Sequence, residues 1–212
     1  MEGFGRAARF YDRQIATFSA ICKSQAQVVD RDTEVPVGEP SHFRQNVSFF
    51  STRATQPRDR GTLVHGDYKL DNLVFDKTEP RVIGILDWEM ATIGHPLSDL
   101  SNLTSPYYMS TSNHTVERFQ PGRTPGLPTR EESLRWYSEV AGWDPAPEIA
   151  WSDAFLLFRN AIIMQGIAAR YALRQASSAR ALEYATQMEP LATETWRRVQ
   201  QIQKAARRRE NL

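Results

Sequence analysis

The chain has 212 residues and a mass of 24.2 kDa, enough for one sizeable core or for one large and one small domain. Hydrophobic residues are 41%, charged residues 24% and aromatics 10%, which excludes a fibrous or wholly disordered chain. A formal charge of +1 gives no bulk electrostatic case for nucleic acid or for an acidic membrane surface as a partner.

Ala8, Tyr11, Ile15, Phe18 and Cys22 recur at spacings of three or four and predict a helix from about Arg6 to Ala26. Cys22 is the single cysteine, so an internal disulfide and a cysteine zinc cluster are excluded, and it reads as a small apolar helix residue. Met1 to Arg13 holds no apolar run of the kind a secretory signal needs, and a cytoplasmic, reducing location is expected. The Asn-x-Ser/Thr triplets at Asn46, Asn102 and Asn113 then read as chance matches. Asp30 to Pro40 reads as a loop, and Ser41 as the N-cap of a helix with Phe43, Val47 and Phe50 on one face.

From Thr62 the character changes. Thr62–Val64, Leu73–Phe75 and Arg81–Leu86 are strand candidates, the last two joined by the turn-like Asp76–Pro80 into a β-hairpin. Pro96 to Leu103 reads as a helix start, and Ser105 to Pro128, with four of the twelve prolines, as a long loop. Thr129 and Glu132 form a capping-box pattern ahead of Leu134, Trp136, Tyr137 and Val140. Asp144 to Glu148 reads as a break. A core helix is expected from Ala150 to about Ala176, and another from Ala179 to about Arg209, bent or interrupted near Pro190. The apolar stretch Trp151–Leu173 carries Asp153, Arg159, Asn160, Gln165 and Arg170, so it reads as a buried helix rather than a membrane span. Arg207-Arg208-Arg209 suits a solvated helix C-terminus.

The segment with chemical content is Val64-His65-Gly66-Asp67-Tyr68-Lys69-Leu70-Asp71-Asn72-Leu73-Val74-Phe75, followed by Gly84-Ile85-Leu86-Asp87-Trp88-Glu89. An aspartate after a short strand, an asparagine five residues on, and a second aspartate at the end of the return strand can gather three oxygen-bearing side chains above a rigid hairpin. Magnesium takes hard oxygen ligands, and a hydroxyl that accepts a phosphoryl group needs a carboxylate nearby.

These residues resemble the aminoglycoside phosphotransferase and choline kinase-like family, relatives of the protein kinases. The likeness is strongest to the branch fused to acyl-CoA dehydrogenase domains. It extends from Gly5-Arg6, Tyr11 and Arg13-Gln14, through His65–Phe75, Ile85–Leu100 and the Gly94–Leu100 run, to Phe158-Arg159, Gln165-Gly166 and Arg170-Tyr171. The resemblance implies a mainly α, α+β fold: a kinase-like C-terminal lobe whose small β-hairpin carries the catalytic loop. It implies Asp67 as the catalytic base, or the group orienting the acceptor hydroxyl, with Asn72 and Asp87 holding Mg²⁺ on the phosphates of ATP. Lys69 is either a cation over the migrating phosphoryl group or a surface lysine. Glu89 points the same way as Asp87 if strand geometry persists, as a second metal ligand or a partner that hydrogen-bonds a ligand, or it is a solvated surface residue. His65 is expected to brace the loop, His95 has no catalytic role, and Asp99 is expected to hold the loop by backbone hydrogen bonds. Tyr107, Tyr108, Trp136, Tyr137, Trp143 and Trp151 fall where the family builds its acceptor pocket, with core packing the expectation for most.

Sixty-four residues precede His65, Gly3-Phe4-Gly5 follows no strand, and Lys23 sits in a helical pattern. The expectation is therefore one C-lobe over 1–212, without the β lobe that grips nucleotide phosphates: a helical lead-in at 1–60, the catalytic loop and hairpin at 61–104, and a helical acceptor subdomain at 105–212. Two functions follow. One is ATP- and Mg-dependent transfer to a small-molecule hydroxyl, weak or silent without the β lobe. The other is a non-catalytic kinase-like binding module, or a truncated fragment, that self-associates as a homodimer through exposed apolar surface.

Overall fold

In this computed structural model the described residues are 8–109, 117–120 and 122–210, with side chains through Arg208. The chain is mainly helical with two small antiparallel sheets. It divides into two compact units, one of 1–8 with 59–153 and one of 9–58 with 154–212. The expected start of the first helix at Arg6, the Gly3–Gly5 segment and the triplet at Asn113 lie outside the described residues.

The unit that carries the motif begins with β1 (Thr62–Val64). A 3-10 turn at Leu70–Asn72 leads into β2 (Leu73–Phe75), which pairs with β3 (Val82–Ile85) through Leu73 opposite Ile85 and Val74 opposite Gly84. The hairpin turn is local chemistry: Asp76 Oδ1 accepts the amides of Thr78 at 2.9 Å and Glu79 at 3.1 Å. The sequence reading missed β4 (Thr92–Gly94), which pairs with β1 in the register Thr62–Gly94 and Val64–Thr92. A three-residue strand with a distant partner leaves no periodic signal.

Then come α3 (Leu97–Thr104) and α4 (Arg130–Ala141), numbered after two helices of the other unit. The capping box at α4 forms as expected, Thr129 accepting from the Glu132 amide and Glu132 from the Thr129 amide. Leu97, Leu100 and Ile149 form a buried cluster, with Leu134, Tyr137 and Trp143 packed against it. Trp136, by contrast, is about half exposed. Asp153 interrupts an apolar helix stretch yet is buried, because Arg130 Nη2 sits 2.5 Å from its Oδ2.

The other unit holds α1 (Phe10–Ala26), α2 (Phe43–Phe50), most of α5 (Ala146–Ala172), α6 (Ala181–Ala185) and α7 (Met188–Glu210). Its core is aromatic. Phe155 meets Tyr11 at 5.1 Å and Phe50 at 5.2 Å, edge to face, and Phe158 stacks on Phe43 at 5.7 Å. Gln165 is fully buried and donates to the carbonyls of Cys22 and Gly38, joining α1 to α5.

Three boundaries differ from the sequence reading. Ser41 does not cap α2: His42 occupies the N-cap in a left-handed conformation, and the Ser41 amide donates to Glu189. Helix α5 starts at Ala146, because Pro147 falls in a first turn, where no amide donor is required. It ends at Ala172, since left-handed Arg174 lets the Gln175 amide reach back to the Arg170 carbonyl. The helical stretch expected from Ala179 is interrupted next to Pro190, in keeping with the sequence: α6 ends at Ala185 and α7 restarts at Met188, with Pro190 in its first turn. No helix among the described residues is long and apolar enough to cross a membrane.

Candidate active site

The motif residues are held by a network that starts at α3. The carboxylate of Asp99 accepts the amide of His65 at 2.7 Å and that of Gly66 at 2.9 Å, as the sequence led us to expect. A charged acceptor on two successive amides fixes the turn directly before Asp67. Gly66 has φ +89°, and a Cβ there would come within 2.6 Å of the Met90 carbonyl oxygen, so the turn needs glycine.

His65 is buried and its ring makes two hydrogen bonds. Its Nδ1 accepts the Asp67 amide at 3.2 Å, which leaves the proton on Nε2 to be donated to the Leu86 carbonyl at 2.7 Å. The ring lies 4.7 Å from that of Trp88. His65 therefore braces backbone and has no nitrogen left for proton transfer. His95 is also buried and uses Nδ1 on the Leu97 amide.

Asp67, Lys69 and Asn72 come together. Asp67 Oδ2 lies 2.8 Å from Lys69 Nζ and 3.2 Å from Asn72 Nδ2. Asn72 Nδ2 also donates to the Asp67 backbone carbonyl at 2.8 Å, so its carbonyl end, Oδ1, is the end left over. Burial raises the Asp67 pKa, but the hydrogen bond and charge of Lys69, with smaller help from Asn102 and Asn72, outweigh it and hold the carboxyl below its ordinary value. The group is ionised at neutral pH and acts only as an acceptor, suited to receiving a substrate hydroxyl's hydrogen bond.

Asp87 is linked to this cluster through its neighbour. The Leu86 amide donates to the Asn72 carbonyl at 2.8 Å while the Leu86 carbonyl is held by His65. The chain then turns sharply, since Asp87 is left-handed (φ 66°, ψ 52°) ahead of a 3-10 turn at Trp88–Met90. Asp87 is exposed and has no hydrogen-bond or ion-pair partner among the described residues. The turn corrects one expectation. Strand β3 ends at Ile85, so alternation does not place Glu89 beside Asp87; Glu89 is exposed on the 3-10 turn, and the geometric reason for making it a ligand falls away.

Among the described residues, no group of three or more His, Cys, Asp or Glu side chains could hold a metal ion by itself. Asn72 Oδ1 at the cluster and the exposed carboxylate of Asp87, tied to it through the Leu86 backbone, are both hard oxygen donors. That set fits magnesium, which is commonly bound by one or two carboxylates and completes its octahedron with substrate phosphates and water.

The sequence reading did not single out Asn102 for this site. Its Nδ2 reaches Asp67 Oδ1 at 3.4 Å from α3, one turn beyond Asp99. The available signal was the i, i+3 spacing from a residue already assigned to the loop.

A profile of the phosphotransferase enzyme family matches residues 1–137. The chain belongs to that family. Among curated relatives of this phosphotransferase-family chain, acyl-CoA dehydrogenase family member 11 from Gallus gallus is 31% identical over 196 residues, covering 91% of the chain and 24% of the relative. The Homo sapiens protein of the same name is also 31% identical, over 193 residues, with the same coverage. Acyl-CoA dehydrogenase family member 10 from Mus musculus is 38% identical over 141 residues, 66% of the chain and 13% of the relative. The chain thus spans about a quarter or less of these relatives. A crystal structure from Ralstonia eutropha, provisionally assigned as an aminoglycoside phosphotransferase, superposes with a TM-score of 0.79 at 28% identity, covering 94% of this chain and 58% of that one.

Proposed function

We propose that the chain carries the catalytic loop and metal-binding hairpin of an ATP-dependent phosphotransferase acting on a small-molecule hydroxyl. The observation that carries this is the junction of an ionised Asp67 with Asn72 and, through the clamped Leu86 peptide, with Asp87. Asp67 accepts the hydrogen bond of the acceptor hydroxyl and orients its oxygen for attack. Its low proton affinity suits orientation and late proton capture rather than early abstraction. Lys69 sits on Asp67 as a cation, and a transferring phosphoryl group brings negative charge that it is placed to offset. Asn72 Oδ1 and Asp87 are the residues that would hold Mg²⁺, which neutralises phosphate charge when bound.

Among the described residues there is no glycine-rich strand–turn–strand, so tight nucleotide grip is expected to need elements beyond those described. The test measures phosphate transfer from ATP to a panel of hydroxylated metabolites, for the chain alone and with a family β lobe supplied. Transfer that Asp67→Asn abolishes is the expected result. Calorimetry should show Mg–ATP binding lost in Asp87→Ala with the fold intact. Silence of the folded chain in both arms, or unchanged binding in Asp87→Ala, overturns the reading.

A second reading, a kinase-like module that docks onto a second copy of itself, is favoured by exposed apolar side chains around the hairpin. Leu63, Phe75, Ile83, Leu86, Trp88 and Met90 are each between 44% and 58% exposed. Sedimentation at rising concentration should then show a dimer, and Ile83→Lys should return it to monomer. A monomer at all concentrations removes this reading.

A further inference from the structure

We propose that Asn102 is a positioning residue for Asp67, fixing the rotation of its carboxylate from the opposite side to Lys69 and Asn72. This rests on the reading of Asp67 as the group that receives the acceptor hydroxyl.

The two oxygens of Asp67 have different partners. Oδ2 takes both Lys69 Nζ at 2.8 Å and Asn72 Nδ2 at 3.2 Å. Oδ1 takes Asn102 Nδ2 at 3.4 Å. The Cβ–Cγ bond of an aspartate is a broad, two-fold torsion, so donors on one oxygen hold the carboxylate only within a wide range. A donor on the second oxygen narrows that range. Lys69 is a weak rotational anchor by itself, because an ammonium is a point charge on a flexible stem and this one is nearly half exposed. Asn102 is planar, partly buried and mounted on a helix.

The helix makes the assignment specific. On α3, Asp99 and Asn102 stand three residues apart and so share a face. Asp99 holds the amides of His65 and Gly66, directly before Asp67. Asn102 holds the Asp67 side chain itself. One turn of one helix thus sets both the backbone and the carboxylate of the same residue, which keeps the two in register when the helix shifts. The rest of the triplet that began at Asn102 is committed elsewhere: Thr104 is buried, and its hydroxyl donates to the Leu100 carbonyl at 2.8 Å.

The experiment compares Asn102→Leu, which deletes the donor at similar branching, and Asn102→Asp, which keeps the shape and replaces the donor with an acceptor. Crystal structures of the full chain are the first readout. The Asp67 carboxylate is expected to rotate in both variants while the His65 and Gly66 amides stay on Asp99. Kinetics are the second readout, with kcat expected to fall about tenfold to a hundredfold and KM for ATP unchanged. An unrotated carboxylate in either variant overturns the proposal, whether or not the chain transfers phosphate. Loss confined to KM for ATP, or equal loss in kcat and melting temperature that Asp67 rotation does not accompany, also overturns it. A wild-type chain without transfer activity sinks the phosphotransferase reading and leaves the crystal structures to decide this one.

Discussion

His65 ties the backbone of Asp67 to that of Asp87 through Leu86: its Nδ1 accepts the Asp67 amide, and its Nε2 donates to the carbonyl of the peptide that joins Leu86 to Asp87. The two carboxylates are twenty residues apart, yet one buried ring sets both their backbones. His65→Leu removes both bonds and leaves the Leu86 carbonyl and the Asp67 amide, both partly buried, unpaired. Each orphan costs about 1–3 kcal/mol. Urea unfolding is expected to show a loss of that size or larger. Mg–ATP affinity should weaken too, because Asp87 loses its fixed peptide plane. Unchanged affinity in a folded His65→Leu chain would count against the brace.

Gly66→Ala tests the loop's close approach. A methyl group there meets the Met90 carbonyl oxygen at 2.6 Å and the Met90 Cβ at 2.8 Å, and the residue stands at φ +89°. Backbone cannot yield as a side-chain tip does. A non-glycine residue in such a conformation costs on the order of 1–3 kcal/mol before the clash is added. A destabilisation above about 2 kcal/mol is expected in denaturant titration, with Asp67 function lost in parallel. Wild-type stability would mean that the turn relaxes.

Cys22 should be chemically silent in the folded state. It is fully buried in α1, and burial pushes its thiol up to about 11 despite a hydrogen bond from Gln165. A thiol reagent at pH 8 is expected to modify it only at the rate of unfolding, and to react at once in denaturant. Rapid labelling of the native chain would contradict both the burial and the raised pKa.

Asp12 gives an acid-sensitive contribution to stability. Burial raises its pKa, but the Gln56 hydrogen bond, Arg9 and Arg53 together hold the carboxyl below its ordinary value. Gln56 donates to Asp12 at 2.8 Å and to the Phe50 carbonyl at 2.7 Å, so the charge helps pin the loop after α2. With a depressed folded-state pKa, the contribution is fully present above the unfolded value of about 4 and is lost as pH falls through the folded one. Asp12→Asn should therefore be less stable than wild type at pH 7, and the gap should narrow as the pH falls through the folded-state pKa. A gap that stays constant with pH would remove Asp12 from the acid limb.

Much of the candidate site was legible in the sequence because its parts are local. The hairpin from Leu73 to Ile85 and its Asp76 turn depend on neighbours a few residues away, and the capping box at Thr129 spans one helical turn. The spacing from Asp67 to Asn72 works the same way, since the asparagine hydrogen-bonds back across five residues. Local rules stop where the local geometry changes. Alternation would set Glu89 beside Asp87 only in a continuing strand, and the chain leaves the strand at Ile85 and turns left-handed. Pro147 suggests a break, yet it falls in the first turn of a helix, where it is tolerated.

Residue types and short spacings by themselves determined the helical segments, the hairpin, and the candidacy of Asp67, Asn72 and Asp87, and the resemblance they carry implied the mainly helical α+β class. Tertiary structure decided the pairing of β1 with β4, the clamp of His65 on Leu86 across 21 residues, and the reach of Asn102 to Asp67 across 35. The physical reason is range. Turns, caps and helical repeats are settled by contacts that the chain cannot avoid making. A hydrogen bond between distant residues exists only after other side chains have packed and fixed the distance between the elements that carry it.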